Sequence, residues 1–387
     1  MLAETTTLMI GLLVPVWLNS LAFKTDLSCF QDSYYLARQR LLKTLLLLPG
    51  GLMRIHQSFR HPLPGPDNSP LYMDWLQMGQ TEAPARVLVL ISGTHGVEGF
   101  AGAAIQCNSM REFVRQLSED NGLGILIIHT LNPWGFAWLR RYDHEGIDLN
   151  RNFVDFNASL PGNAEYEQMH DDLFRSEAEP QDSVFECWRT KWGVQEFESV
   201  ITRGQYKHAD GVFYGGTGAS WSRQILEQAA GTAFLAQADR IAVIDLHTGL
   251  GPFGHGEVIN DHAPDSAGFK LASDWYGANA QAVVLGESCS AVKTGLLDYF
   301  WHQLIGDRGC FVTLEFGTWS LEKLLTLSCQ EQRYHVSYGS NFQARDLEHP
   351  SVVALREFFY PQDESWRELV LFRAGQIIKL ALRGMRT

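Results

Sequence analysis

The sequence predicts an α/β fold, a single domain with a central mixed, largely parallel twisted sheet flanked by helices. Three observations carry that expectation. Short apolar runs bounded by small residues recur at 87–91, 123–130, 241–246 and 310–316, as in strands buried on both faces. Segments with helical periodicity lie between them, and such alternation favours crossover connections over hairpins. The runs also end in turns that carry glycine and polar residues, the place where α/β sheets gather their sites.

Composition limits the functional classes. Hydrophobic residues make up 45% of the 387, and charged residues 19%, as in an ordinary globular protein. A formal net charge of −13 disfavours nucleic acid or an anionic membrane as partner, because both need a basic face. The six cysteines are scattered without a CxxC pair and read as reduced core thiols. Residues 8–18 are apolar, but Glu4 precedes them, the first basic residue is Lys24, and Pro15 interrupts the run. That pattern favours a cytoplasmic chain over an exported one. Residues 1–29 are expected to be a poorly ordered extension ahead of a domain spanning 30–387.

Along the chain, Asp32-Ser33 caps a helix over 34–48, which Pro49-Gly50-Gly51 ends. Residues 71–78 read as an edge strand. The run 87–91 leads into Ser92-Gly93-Thr94-His95-Gly96-Val97-Glu98-Gly99, and a helix over 101–117 follows. The strand at 123–130 precedes a turn and then Arg140 to Phe153. Poor periodicity and frequent acids over 155–210 predict an insertion with one helix near 183–203. A helix over 222–236 leads to the strand 241–246, further strands fall near 258–260 and 282–285, and 310–316 is the last strong one. Residues 364–383 have helical periodicity and are expected on the outside.

Four constellations carry chemistry. His95 and Glu98 sit three residues apart on a glycine-flexed turn, a mixture of donors that zinc accepts. His247 follows the strand 241–246 in Asp245-Leu246-His247-Thr248-Gly249. His95, Glu98 and His247 would supply three ligands and leave a fourth position for water, as catalytic zinc sites do. Asp245 would fix the tautomer of that imidazole. The alternative for His247 is a capping or core histidine. Glu315 lies inside the apolar strand Thr313-Leu314-Glu315-Phe316-Gly317, where a carboxylate must be paired, protonated or functional. Beside a metal-bound water it would take the proton; the alternative is an ion-paired residue on an edge strand. Arg140-Arg141 and Asp148-Leu149-Asn150-Arg151-Asn152-Phe153 offer guanidinium groups suited to a carboxylate or an oxyanion, the alternative being a solvated charged loop.

With these stretches in order, the sequence from about residue 30 onward resembles the zinc carboxypeptidase superfamily, and within it a largely uncharacterised bacterial carboxypeptidase-like branch. The resemblance implies zinc on His95, Glu98 and His247. It implies a substrate carboxylate held by Asn150 and Arg151. Arg141, with Arg140 as the close alternative, would stabilise the transition state, and Glu315 would be the catalytic glutamate. The implied activity is zinc-dependent hydrolysis of an amide (peptide) bond adjacent to a free carboxylate, on a small peptide or acylated amino acid. Deacylation of N-acyl amino acids, as in the aspartoacylase and succinylglutamate desuccinylase group, is the runner-up. A metal-binding relative without turnover is the reading of a different class. No motif places the family's mobile tyrosine; Tyr299 is the candidate. The 155–210 excursion and the loop Phe213-Tyr214-Gly215-Gly216-Thr217-Gly218 depart from the digestive enzymes and are expected to shape the pocket. The absence of a GxSxG elbow sets a serine hydrolase aside.

Overall fold

Period-two alternation builds the sheet. In the strand Arg86–Ser92, Leu88 and Leu90 enter one core layer, whereas Val87, Val89 and Ile91 enter the opposite one. The computed structural model describes residues 25–46, 48–174, 181–339 and 342–387. Within them, eight strands form one sheet: β1 (Met53–Arg60), β2 (Tyr72–Gly79), β3 (Arg86–Ser92), β4 (Leu123–His129), β5 (Arg240–Gly249), β6 (Gly256–Asn260), β7 (Ala280–Ala282) and β8 (Gly309–Gly317). Their order is β1-β2-β4-β3-β5-β8-β6-β7. The four central strands β4, β3, β5 and β8 run parallel. Antiparallel pairs β1–β2, β2–β4 and β6–β8 flank them, so the sheet is mixed with a parallel centre.

Helices cover both faces. Tyr34–Leu45, Gly99–Glu119, Ala267–Tyr276, Pro350–Phe359 and Glu364–Gly384 contribute Leu41, Phe113, Trp275, Phe358 and Ile377 to one layer. Trp221–Ala230, Ala233–Ala236 and Asp298–Ile305 contribute Leu226, Phe234 and Trp301 to the other. Each fully buried side chain of this size stabilises the fold by about 1.5–3 kcal/mol. Among the described residues no helix is long and apolar enough to cross a membrane.

Several local expectations change. The segment read as an edge strand is β2, which pairs on both sides. The edge is β1, whose exposed Arg54, His56 and Arg60 mask its strand character. The helix expected near 183–203 is two, Gln181–Trp192 and Val194–Thr202, broken where Gly193 takes φ +85°. With Ala164–Phe174 they bury Phe185, Trp188, Phe197 and Ile201 against Leu325 and Cys329 of the helix Leu321–Tyr338. The C-terminal helix is not peripheral: Trp366 is fully buried and its Nε1 donates to Gly317 O at 2.9 Å. Of the extension at 1–29, residues 1–24 lie outside the described residues. Leu27–Cys29 forms a 3-10 turn capped by Asp26, and Cys29 packs in the core.

Candidate metal centre

Strand order brings the chemistry together. β3, β5 and β8 are adjacent and parallel, so the chain leaves all three at the same edge of the sheet. His95 and Glu98 lie in the turn just after β3, His247 lies near the end of β5, and Glu315 is its register partner on β8. Gly96 lets that turn sit close: a Cβ there would meet the backbone of Gly135 at 2.2 Å.

His95, Glu98 and His247 are each no more than 4% exposed, and their ligating atoms lie within 4.8 Å of one another. His95 Nδ1 is 2.8 Å from Glu98 Oε1 and 3.2 Å from His247 Nδ1; His247 Nδ1 is 3.2 Å from Glu98 Oε2. Donors about 2.0–2.1 Å from a tetrahedral zinc stand roughly 3.3 Å apart, so this set fits the ion with small adjustment. The outer nitrogen of each ring is held by a carboxylate. His247 Nε2 lies 2.6 Å from Asp245 Oδ2, and Asp245 accepts from Thr94 Oγ1 at 2.8 Å. His95 Nε2 lies 3.1 Å from Asp148 Oδ1. Such carboxylate–histidine pairs turn the inner nitrogen toward a metal.

Electrostatics follow the geometry. Burial opposes the charge of Glu98, but the two imidazoles outweigh it and hold the carboxyl well below its usual range. Glu315 lines the same cavity and accepts from Leu250 N at 2.8 Å. Burial, with Glu98 adding to it, pushes its carboxyl up to about 7.

The two arginines part company. Arg141 reaches Glu98 Oε1 at 3.2 Å and Asp148 Oδ2 at 3.1 Å, and its Nη2 lies 2.8 Å from His95 Nε2. Arg140 points away and forks onto Glu331 at 2.7 and 3.1 Å. Asn150 accepts from Leu297 N at 2.8 Å, which leaves its amide NH2 to donate. Arg151, 1% exposed, bonds only backbone carbonyls, Thr202 O at 2.7 Å and Asn150 O at 2.6 Å among them. No carboxylate lies within ion-pairing distance of it among the described residues. Burial lowers its pKa. A buried cation of this kind stays charged at a cost that an incoming anion offsets.

A cavity of about 360 Å³ contains His95, Glu98, Arg141, Asn150, Arg151, His247 and Glu315. Tyr299 is 44% exposed and lies outside its walls. Three contributors escaped the sequence reading of roles. Asp148 lay in the motif without a function. Phe213, at φ +55°, stacks on Arg141 and Arg151 at 5.3 and 5.5 Å. Gln195, Glu198 and Ser199 of the insertion helix Val194–Thr202 close one wall. The expectation that the 155–210 excursion and the loop from Phe213 shape the pocket covers the last two, without a role for any single side chain.

A family model described as "Protein of unknown function (DUF2817)" matches residues 30–373. No curated protein matches the chain. Among solved structures it is similar to carboxypeptidase A from Helicoverpa armigera, at 12% identity over 92% of this chain and 73% of that one, with a TM-score of 0.45. It is also similar to bovine thrombin-activatable fibrinolysis inhibitor, at 12% identity over 90% and 97%, with a TM-score of 0.38. An aspartoacylase family protein from Mesorhizobium loti is similar at 16% identity over 74% and 67%, with a TM-score of 0.33.

Proposed function

We propose that this chain, which belongs to the DUF2817 family of proteins of unknown function, is a zinc-dependent hydrolase that cleaves an amide bond adjacent to a free carboxylate. The observation that carries the reading is the conjunction, in one cavity, of a candidate three-donor metal set, Glu315 and an Arg151 that has no carboxylate within ion-pairing distance among the described residues. His95, Glu98 and His247 would hold the ion, which when bound supplies Lewis acidity and lowers the pKa of a coordinated water to roughly 7.

The protein's own groups do the rest. Arg151, with the free amide hydrogens of Asn150, takes the substrate carboxylate, and Phe213 keeps the guanidinium plane in place. Glu315, oriented by the Leu250 amide, accepts a proton from the attacking water and passes it to the leaving nitrogen. Arg141 presents positive charge beside the cavity, where an oxyanion develops. Burial of Arg141, Arg151, Phe213 and Glu315 excludes bulk water and strengthens their interactions.

A second reading, N-acyl amino acid deacylation, draws support from the wall built by Val194–Thr202. A cavity of about 360 Å³ suits one residue with a short acyl or aminoacyl group better than a long peptide.

The test combines metal analysis with hydrolysis of dipeptides and N-acyl amino acids, with and without chelator. Glu315→Gln should retain one zinc per chain and lose turnover by about 10²–10⁴-fold. Full activity in that variant would remove Glu315 from the mechanism. Bound zinc without turnover on either substrate class would favour a binding protein.

A further inference from the structure

A second set of metal-binding side chains lies in the insertion. His170, His208 and Asp210 each offer one donor atom, and the three atoms lie within 4.8 Å of one another. None of these residues lines the cavity of the proposed reaction. His170 belongs to the helix Ala164–Phe174 and is fully buried. His208 and Asp210 belong to the segment after the helix Val194–Thr202, and both are partly exposed. Packing brings the two segments together: the ring of His208 stacks on that of His170 with centroids 3.8 Å apart.

The two nitrogens of His170 face different carboxylates. Nδ1 lies 3.3 Å from Asp171 Oδ1, and since a carboxylate has no proton to give, Nδ1 carries the hydrogen. In the neutral ring Nε2 then presents a lone pair. It faces Asp210 Oδ1 at 3.1 Å, yet makes no hydrogen bond of normal geometry among the described residues. A buried lone pair against an anionic oxygen is repulsive, and a cation between the two removes the conflict. A proton needs the oxygen in line with the ring N–H, and this contact misses that line. A metal ion needs no straight line between its donors.

Two imidazoles and a carboxylate are donors that zinc accepts, at separations of roughly 3.3 Å in a tetrahedral site. Rotation of the partly exposed His208 and Asp210 closes the set to that size. Asp171 then orients the His170 ring, as carboxylates do behind metal-bound histidines. From Asp210 the chain runs through Val212, whose carbonyl accepts from Tyr166 Oη at 3.1 Å, to Phe213 on the Arg151 guanidinium.

We propose that His170, His208 and Asp210 bind a second divalent cation of the zinc class, distinct from the ion proposed between β3 and β5, and that it pins the helix Ala164–Phe174 to the loop that carries Phe213.

Metal analysis of the purified full chain, equilibrated with zinc and freed of excess, tests the site. Two zinc ions per chain are expected. His208→Ala and Asp210→Asn should each leave one, and His247→Ala should leave the other one. Both insertion positions are partly exposed, so if one variant fails to fold the other still reads the site. One zinc per chain that survives both insertion variants overturns the second site and leaves the first standing. One zinc that survives His247→Ala and is lost in His208→Ala keeps the second site and removes the first. No zinc in the unaltered chain overturns both. Tryptic cleavage after the exposed Lys207 should slow severalfold on adding zinc, and not in Asp210→Asn. Equal rates with and without zinc would overturn the pinning.

Discussion

Single residues here are governed by what surrounds them more than by what they are. Arg140 and Arg141 are neighbours of identical chemistry, yet one is locked onto Glu331 and the other reaches Glu98 and His95. His129 illustrates the same rule outside the site. It is fully buried, its Nδ1 bonds Gln106 Oε1 at 3.0 Å, and burial drives its pKa down to about 4. The unfolded chain takes a proton at this position as pH falls through about 6.5. The folded chain does so only near 4. The stabilising contribution of neutral His129 is therefore complete above 6.5 and is lost as pH falls toward 4. The stability difference between the protein and His129→Gln should shrink over that window by up to about 1.4 kcal/mol per pH unit. Denaturant midpoints at pH 7.5, 6 and 5 read it; a difference independent of pH would mean that the folded chain takes up a proton at His129 as readily as the unfolded one.

At the scale of elements, the site depends on one close approach. The turn Gly96–Glu98 leans on the helix Pro133–Ala137, with Gly96 N donating to Arg141 O at 3.1 Å and Val97 N to Arg140 O at 2.8 Å. A methyl at Gly96 would meet Gly135 and Phe136 backbone atoms at 2.2–2.4 Å, and backbone does not yield as a side chain does. Gly96→Ala should cost about 1–3 kcal/mol of stability and weaken zinc binding, since His95 and Glu98 flank the displaced residue. Wild-type zinc affinity in that variant would show that the turn moves independently of its packing. The insertion matters at this scale too. Gly193 breaks what the acid-rich sequence reads as one helix, and the second piece, Val194–Thr202, becomes a wall of the cavity.

For the whole molecule, the proposed metal donors bring together segments 152 residues apart, counted from His95 to His247. An ion held there binds the folded chain and not the unfolded one, so it stabilises by mass action. At free zinc about 100-fold above its dissociation constant, that is worth about 2.7 kcal/mol. Chelator should lower Tm by several degrees, and added zinc should restore it. A Tm indifferent to both would mean that no ion is held between β3 and β5.

Much of this was legible in the sequence because it is local. Apolar runs of strand length, a glycine turn after each, and His and Glu three residues apart are patterns written in neighbouring residues, and short-range sterics and hydrogen bonding suffice to read them. The α/β class, the central strands and the candidate donors His95, Glu98 and His247 follow from such patterns. What only the tertiary structure decided is long-range. The order β3-β5-β8 sets which loops meet. The partners of Arg140 and Arg151 depend on helices that come from elsewhere in the chain. The rings of His262 and His302 lie 40 positions apart and meet only when the chain after β6 packs on the helix Asp298–Ile305. A charge is structural or functional according to the groups buried beside it, and those groups are chosen by chain topology rather than by sequence spacing.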